Sequence, residues 1–282
     1  MNQTPIRIES LHIYPIKSCG GASLTEGLLI ETGFELDRAW MVVDSSGEFI
    51  SQRDYPRMAL IAPTVKQYEV VLRAPGMLTL HVPAESAEGA VKVRVWDDEC
   101  AAFDMGAVAA QWFSDFLGVK GLRLVRFDPA HKRLSSMQWT GGVEALNGFS
   151  DGFPLLVASL ASLDDVNAKL IAAGHAAVGM NRFRPNVVLS GLDAFGEDYL
   201  DTLKFAGDVE LKLVKPCPRC PIPNVNPDTG DTSPEVGDLL ASYRANARVN
   251  GAATLGMNAI IVRGVDAALR VGDVAEAALK FE

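Results

Sequence analysis

Two cysteines separated by two residues, Cys217 and Cys220, lie in the proline-rich segment 215–223. Such a pair can contribute to structural zinc, a redox-active disulfide or an iron–sulfur cluster, but zinc needs about four ligands and a cluster needs further nearby cysteines. Cys19 and Cys100 are remote in sequence. Two buried cysteines in a loop stiffened by prolines are an alternative interpretation.

A single thiolate from this pair offers different chemistry. Thiolate is a soft ligand, which suits a transition metal that is already held by the sulfur atoms of a cofactor. Arg219 stands between the two cysteines, where it could lower a thiol pKa or pair with cofactor oxygens.

Basic and polar residues in three other segments could bind an anion. Lys17 and Ser18 stand in a glycine-rich turn, where a lysine and backbone N–H groups can hold phosphate, although the G-x-x-x-x-G-K pattern of nucleotide-binding loops is absent. Arg38, Arg184 and Asn186 stand at or before the start of apolar segments. A guanidinium binds phosphate through two parallel hydrogen bonds. Solvated charge at a turn or strand entrance is the simpler interpretation of each segment alone.

Composition limits the class of protein. The chain has 282 residues, of which 48% are hydrophobic, enough for one large or two medium domains. A net charge of −9 argues against a nucleic-acid partner. No apolar run is long enough to span a membrane, and the N-terminal residues 1–7 contain no apolar signal region. We therefore expect a cytoplasmic protein without membrane association.

Short apolar segments separated by Gly and Pro predict mostly β structure, typical of a barrel or sandwich. Strands are predicted at residues 6–13, 39–43, 48–51, 62–65, 69–73, 78–82, 91–96, 122–127, 186–189, 209–213 and 259–262. The predicted fold class is α+β, mostly β.

A first helix is predicted at residues 107–117. Val108, Trp112 and Phe116 fall on one face, and Gly118 suits its C-terminal end.

A second helix is predicted at residues 163–173, with Ser162 as its N-cap and Gly174 at its end. Residues 128–149 and 216–231 lack periodicity and are predicted to be connections.

Six segments in register resemble one family. They are residues 11–19 (LHIYPIKSC), 37–42 (DRAWMV), 149–156 (FSDGFPLL), 183–188 (FRPNVV), 217–220 (CPRC) and 225–230 (VNPDTG). The chain resembles MOSC-domain proteins with the MOSC N-terminal β-barrel region. Within that family it is most similar to the mitochondrial amidoxime-reducing components and to bacterial relatives that lack a ferredoxin domain.

The resemblance implies a pyranopterin molybdenum cofactor. Cys220 would be the metal ligand, Asp151 a catalytic residue beside the metal, and Cys217 a neighbour rather than a ligand. The residues implied in holding the pterin and its phosphate are Lys17, Ser18, Arg38, Arg184, Asn186 and Arg219. The family resemblance also implies pyridoxal phosphate binding, but only at the level of the family, with no residue of this chain assigned to it.

The resemblance also implies a MOSC-type β-barrel with flanking helices and a smaller N-terminal β-rich domain. We expect the MOSC N-terminal region at residues 1–130 and the MOSC domain at residues 131–282, with residues 1–50 packing onto the MOSC barrel. The cofactor would lie in a cleft between the two parts.

The implied activity is the reduction of N-hydroxylated compounds: amidoximes, hydroxylamines and N-hydroxylated bases. The C-x4-C-x2-C spacing of a plant-type ferredoxin is absent, so we expect no intrinsic iron–sulfur cluster and an external electron donor of the ferredoxin or flavoprotein type. Gly152 stands where mitochondrial relatives have a hydroxyl residue, and Pro221 and Pro223 alter the segment after Cys220, which leaves substrate preference open. A cofactor or sulfur carrier without reductase turnover is the alternative.

Overall fold

In a computed structural model that describes residues 5–85 and 87–280, all 19 described strands belong to four sheets. The strands are β1 (Arg7–Ile13), β2 (Ala22–Leu24), β3 (Glu26–Ile30), β4 (Gly33–Phe34), β5 (Trp40–Val43), β6 (Ala62–Val65), β7 (Glu69–Arg73), β8 (Leu80–Pro83), β9 (Gly89–Val95), β10 (Asp98–Asp104), β11 (Arg123–Phe127), β12 (Leu155–Ser159), β13 (Val187–Ser190), β14 (Leu200–Phe205), β15 (Val209–Pro218), β16 (Ala245–Asn246), β17 (Ala252–Arg263), β18 (Ala268–Arg270) and β19 (Glu276–Leu279). The helices are α1 (Ala107–Leu117), α2 (Met137–Thr140), α3 (Leu160–Ala172) and α4 (Glu235–Tyr243). The predicted mostly-β class is confirmed. The sequence predicted no signal region in residues 1–7, and residues 1–4 of that segment lie outside the described residues.

The largest sheet joins the two ends of the chain. Its strand order is β19-β14-β15-β17-β12-β13-β1-β2, with β16 paired to β17. β1 pairs antiparallel with β13, and Leu11 lies opposite Val187. Alternate side chains of these strands are buried in a core that the three-stranded sheet β18-β3-β4 shares through Leu29 and Phe34. Segment 7–34 thus pairs with strands of the C-terminal half.

The second core lies in the N-terminal half. It is formed by β5 and β11 of the sheet β5-β11-β10-β9, by β7 and β8 of the sheet β6-β7-β8, and by α1. The buried stripe of α1 consists of Ala109, Trp112, Phe113 and Phe116, which have helical i, i+3, i+4, i+7 spacing. The prediction for Val108 is wrong, because this residue lies beside the stripe and is 75% exposed.

The helices of residues 5–85 and 87–280 lack the length and hydropathy of a membrane-spanning segment.

Helix α3 begins at Leu160, three residues earlier than predicted, and its N-cap is Ser159 rather than Ser162. The Ser159 hydroxyl accepts a hydrogen bond from the Ser162 backbone N–H at 3.2 Å. The Ser162 hydroxyl instead donates to the buried carboxylate of Glu197. The mistake has a physical reason, since either serine is a suitable cap by type and both hydroxyls also donate to Glu197, so residue type alone does not locate the start of the helix.

Strand β15 continues to Pro218, so the predicted loop from residue 216 begins too early. Pro216 and Pro218 pair with β17 across a shift in register. A bulge of this kind tolerates residues that cannot donate a backbone hydrogen bond. Cys217 therefore lies within the strand, and Cys220 lies two residues beyond its end.

The connection at residues 128–149 contains α2 and is fixed by one buried arginine. The Arg133 guanidinium donates to the carbonyl oxygens of Gly148 and Ser150 at 2.8 and 2.6 Å. These bonds fix the chain immediately before Asp151.

Phe113 provides a test of the N-terminal core. Truncation to Ala should lower the free energy of unfolding by about 3–5 kcal/mol, because the ring is fully buried and its removal leaves a cavity. Val108→Ala on the exposed side of the same helix should change it by less than about 0.5 kcal/mol. Urea unfolding followed by circular dichroism measures both, and equal effects would contradict the observed orientation of α1.

Candidate functional site

One cavity brings together every residue that the sequence singled out as a site residue. The cavity has a volume of about 110 Å³. Its walls include Lys17, Ser18, Arg38, Asp151, Arg184, Asn186, Arg219 and Cys220. These side chains come from the segments after β1, between β4 and β5, before β12, before β13 and after β15. We call this space the inner cavity.

Lys17 and Asp151 form an ion pair at the edge of the inner cavity. Lys17 Nζ donates to Asp151 Oδ1 at 2.5 Å and to the carbonyl oxygen of Phe149 at 2.8 Å. The Lys17 side chain is 7% exposed, whereas the Asp151 side chain is 59% exposed within the cleft. The buried lysine therefore fixes a carboxylate that remains accessible to a ligand.

The pair changes the pKa of both groups. Burial lowers the pKa of Lys17, and the charge of Asp151 opposes this effect. Partial desolvation raises the pKa of Asp151, but the charge and hydrogen bond of Lys17, followed by the charge of Arg53, bring it well below its ordinary value. Asp151 is therefore ionised at neutral pH and acts as a hydrogen-bond acceptor.

Two arginines of the site pack against the ring of Tyr14. The guanidinium carbons of Arg38 and Arg184 lie 4.5 and 4.2 Å from the ring centroid of Tyr14, which is buried. Contacts of this kind stabilise a cation where water is excluded. Burial and the nearby charge of Arg38 lower the pKa of Arg184 to about 10. The arrangement therefore concentrates positive charge that the protein only partly compensates.

Asn186 and Asp37 orient Arg38. Arg38 donates to the Asp37 carboxylate at 2.5 Å and to Asn186 Oδ1 at 3.1 Å. Asn186 Oδ1 also accepts from the Leu156 N–H, and Asn186 Nδ2 donates to the His12 carbonyl oxygen. Asn186 thus ties β1 and β12 to Arg38, and most of its hydrogen-bonding capacity is used within the protein.

Three residues of the site have an uncommon backbone conformation. Ser18, Arg38 and Arg184 have φ values of 66°, 47° and 58°. A non-glycine residue in this left-handed region is uncommon, and each strained conformation costs on the order of 1–3 kcal/mol. Three residues in three separate segments keep it at one cavity, which indicates that the direction of these side chains is under functional constraint.

The two cysteines of the C-x-x-C segment have different surroundings. Arg219 donates to Cys217 Sγ at 3.1 Å and to the Phe183 carbonyl oxygen at 3.0 Å, so it contacts Cys217 rather than Cys220. Burial raises the pKa of the Cys217 thiol, and the charge of Arg219 opposes the rise. Cys220 is partly exposed and lines the cavity as a free thiol.

Cys220 offers one soft ligand rather than a complete metal site. Among the described residues, no group of three or more His, Cys, Asp or Glu side chains is placed to hold a metal ion. A metal at Cys220 would need most of its ligands from another molecule. This donor set differs from that of structural zinc, which uses about four protein ligands.

The charges of the inner cavity suit an anion. Among its described lining residues, five side chains are cationic and one, Asp151, is a carboxylate, in a protein of net charge −9. The Nε of Arg219 is buried without a hydrogen-bond partner in the described chain. Cationic donors around a soft thiolate fit a phosphate-bearing, sulfur-ligated metal cofactor.

A wider cavity of about 750 Å³, the outer cavity, shares walls with the inner one. Arg53 and Trp96, which sequence reasoning missed, line it together with Asp151 and Cys220. Arg53 lies 3.8 Å from Asp151 Oδ2, and Trp96 Nε1 donates to Asp151 Oδ1 at 3.3 Å. No short-range pattern marks either residue, but Asp37 could have been found from its position beside Arg38.

Comparison with known families identifies two domains in the chain. Residues 5–120 match the MOSC N-terminal beta barrel domain, and residues 146–276 match the MOSC domain. The chain therefore belongs to the MOSC-domain family, and the resemblance of the six sequence segments is confirmed.

Similar proteins include two amidoxime-reducing components. Mitochondrial amidoxime reducing component 2 of Bos taurus is 35% identical over 246 residues, covering 84% of this chain and 72% of the relative. Mitochondrial amidoxime-reducing component 1 of Mus musculus is 36% identical over 246 residues, covering 84% and 71%. Molybdenum cofactor sulfurase of Homo sapiens is 28% identical over 258 residues, covering 85% of this chain but 29% of that protein.

Replacing Asp151 with Asn tests the ion pair through its pH dependence. The pKa of Asp151 is lower in the folded state, so its contribution to stability is present above the ordinary aspartate pKa of about 4 and is lost as the pH falls towards the folded-state value. We expect the wild-type protein to be more stable than Asp151→Asn at pH 7, with a difference that shrinks between about pH 4 and pH 2. Urea unfolding at several pH values measures this. Asp97→Asn, at an exposed carboxylate nearby, is the matched control, and a difference independent of pH would contradict the pairing.

Proposed function

We propose that this chain is a molybdenum-cofactor-dependent oxidoreductase that reduces N-hydroxylated compounds. One observation supports this most strongly: a free cysteine and a set of partly buried cations from both ends of the chain line a single cavity. The names of the similar proteins, two amidoxime-reducing components and a molybdenum cofactor sulfurase, agree with a function related to that cofactor.

Each residue of the inner cavity would bind the part of the cofactor that suits its side chain. Cys220 would supply the protein's thiolate to the metal. Arg38, Arg184 and Lys17 would neutralise the phosphate and contact the pterin, with Ser18 as a hydroxyl donor. Asn186 would act mainly by holding Arg38, and Arg219 by filling the wall behind Cys217.

When bound, the cofactor supplies a redox metal that can accept an oxygen atom from a substrate. The substrate would enter through the outer cavity, which reaches both Cys220 and Asp151. Because Asp151 is ionised, its Oδ2, which lies 3.8 Å from Arg53 and beyond hydrogen-bond distance, would accept a hydrogen bond from an N–H or N–OH group and orient the N–O bond. Lys17 Nζ holds that carboxylate in place and keeps it charged.

The proposal includes an external electron-transfer protein, of the ferredoxin or flavoprotein type, and a cytoplasmic location. Substrates would be small molecules with a reducible N–O bond, such as amidoximes.

A second candidate is a carrier that holds the cofactor or delivers sulfur without reducing a substrate. The match to molybdenum cofactor sulfurase favours it, since that alignment also covers most of this chain. The two candidates predict the same metal content but differ in turnover.

Reduction of benzamidoxime tests the proposed activity. Protein with molybdenum near one per chain, supplied with reduced methyl viologen, should convert benzamidoxime to benzamidine, whereas protein produced without molybdenum should not. Liquid chromatography of the product measures the reaction. If fully loaded protein reduces neither amidoximes, hydroxylamines nor N-hydroxylated bases, the reductase proposal fails and the carrier is favoured.

A further inference from the structure

The outer cavity contains large exposed apolar side chains. Trp96 is 44% exposed and Leu134 is 48% exposed, and both line this cavity together with Cys220. Isolated apolar residues on a protein surface are ordinary. In a concave site of this size, beside a few fixed polar groups, they are typical of a surface that binds the apolar part of a small molecule.

Trp96 is held in an unusual conformation. It occupies the turn between β9 and β10 with a φ of 54°, which is uncommon for a bulky residue. Three neighbours fix its ring: Phe49 packs at 4.9 Å between centroids, Arg53 stacks at 4.5 Å, and Asp151 accepts its Nε1–H. A strained residue that is held this firmly yet remains exposed indicates a role beyond packing.

The polar atom of the indole is already used, so the accessible remainder is hydrocarbon. Arg133, another wall of the outer cavity, is neutralised by Asp98 at 2.7 Å. Asp151 and Cys220 line both cavities, so they place a carboxylate and a thiol where the outer cavity meets the inner one. The outer cavity therefore suits a molecule with one polar end and one flat apolar end.

We propose that Trp96 is a specificity-determining residue, which together with Leu134 binds an aryl substituent of the substrate while the N–O group points towards Cys220. This inference rests on the proposed reductase function and narrows its substrates to aryl-substituted N-hydroxylated compounds. Aromatic contacts of this kind strengthen binding by roughly 2- to 12-fold beyond simple area burial.

Matched probes test this role with and without turnover. Benzamidoxime and acetamidoxime share the reducible group, but the first carries a phenyl substituent and the second a methyl. Their products, benzamidine and acetamidine, differ in the same way. In the molybdenum-loaded protein, Trp96→Ala should reduce the phenyl-to-methyl ratio of kcat/KM by about 5- to 10-fold, mainly through KM. Calorimetric binding of the two products should show the same loss of preference.

Two further variants separate the stacking surface from the hydrogen bond to Asp151. Trp96→Phe keeps a ring but removes the N–H, so it should retain the phenyl preference to within about 2-fold. Tyr68→Ala, at an exposed aromatic side chain in another hairpin turn, should leave the ratio unchanged.

Equal effects of Trp96→Ala on phenyl and methyl compounds would overturn the inference, because the residue would then act only through Asp151. Equal affinity of the wild-type protein for both products would also overturn it. If no N-hydroxylated compound is reduced but Trp96→Ala still removes the preference for benzamidine, the reductase proposal fails and the aryl-binding surface stands.

Discussion

The concentration of positive charge around Tyr14 is the constraint on which the site depends. Arg38 and Arg184 stack on this buried ring, and Lys17 is buried nearby. Removing cations from water is unfavourable unless they are paired or hydrogen-bonded. Asp37 and Asp151 compensate part of the charge. The remainder favours an anionic ligand, and the cavity between these side chains is where it would be held.

The residues that form this cluster of charge are far apart in sequence, so the fold must bring them together. β1 inserts beside β13, which brings the turn with Lys17 and Ser18 next to the segment of Arg184. Asn186 then connects β1, β12 and Arg38 through one amide group. Two strained positions, Arg38 and Arg184, lie in this network, since Arg38 also donates to the Arg184 carbonyl oxygen. The N-terminal half contributes further by placing Arg53 and Trp96 against Asp151.

Local sequence patterns were sufficient to predict an element where apolar residues repeat at helical or strand spacing, and to find the site where chemically distinctive residues cluster. The helix α1 and the strands β1, β5 to β9 and β11 follow from apolar spacing and from glycine positions, and the residues of the motifs line the inner cavity. The elements that were not predicted are β2, β3, β4, β10, β12, β14, β16, β18, β19, α2 and α4. Their neighbours in space determine their burial, and β12, buried along its whole length, shows no alternation. The predicted strand at residues 48–51 is wrong, because Glu48 and Phe49 form only isolated bridges.

The prediction of side-chain contacts from the sequence was limited by contacts between residues that are far apart in the chain. The sequence left open which thiol Arg219 contacts, and its side chain donates to Cys217. Arg53 and Trp96 became recognisable only through Asp151, which lies about a hundred and about fifty residues away in sequence. The prolines of β15 suggested a loop because they remove backbone donors, while a bulge beside β17 accommodates them.

X-ray absorption at the molybdenum edge tests the central assignment most directly, because it counts the sulfur atoms bound to the metal. The account predicts two cofactor sulfurs and one protein thiolate in the wild-type protein and in Cys217→Ser, and loss of one sulfur in Cys220→Ser. An unchanged sulfur count in Cys220→Ser, with the metal still bound, would show that position 220 is not the ligand and would contradict the account.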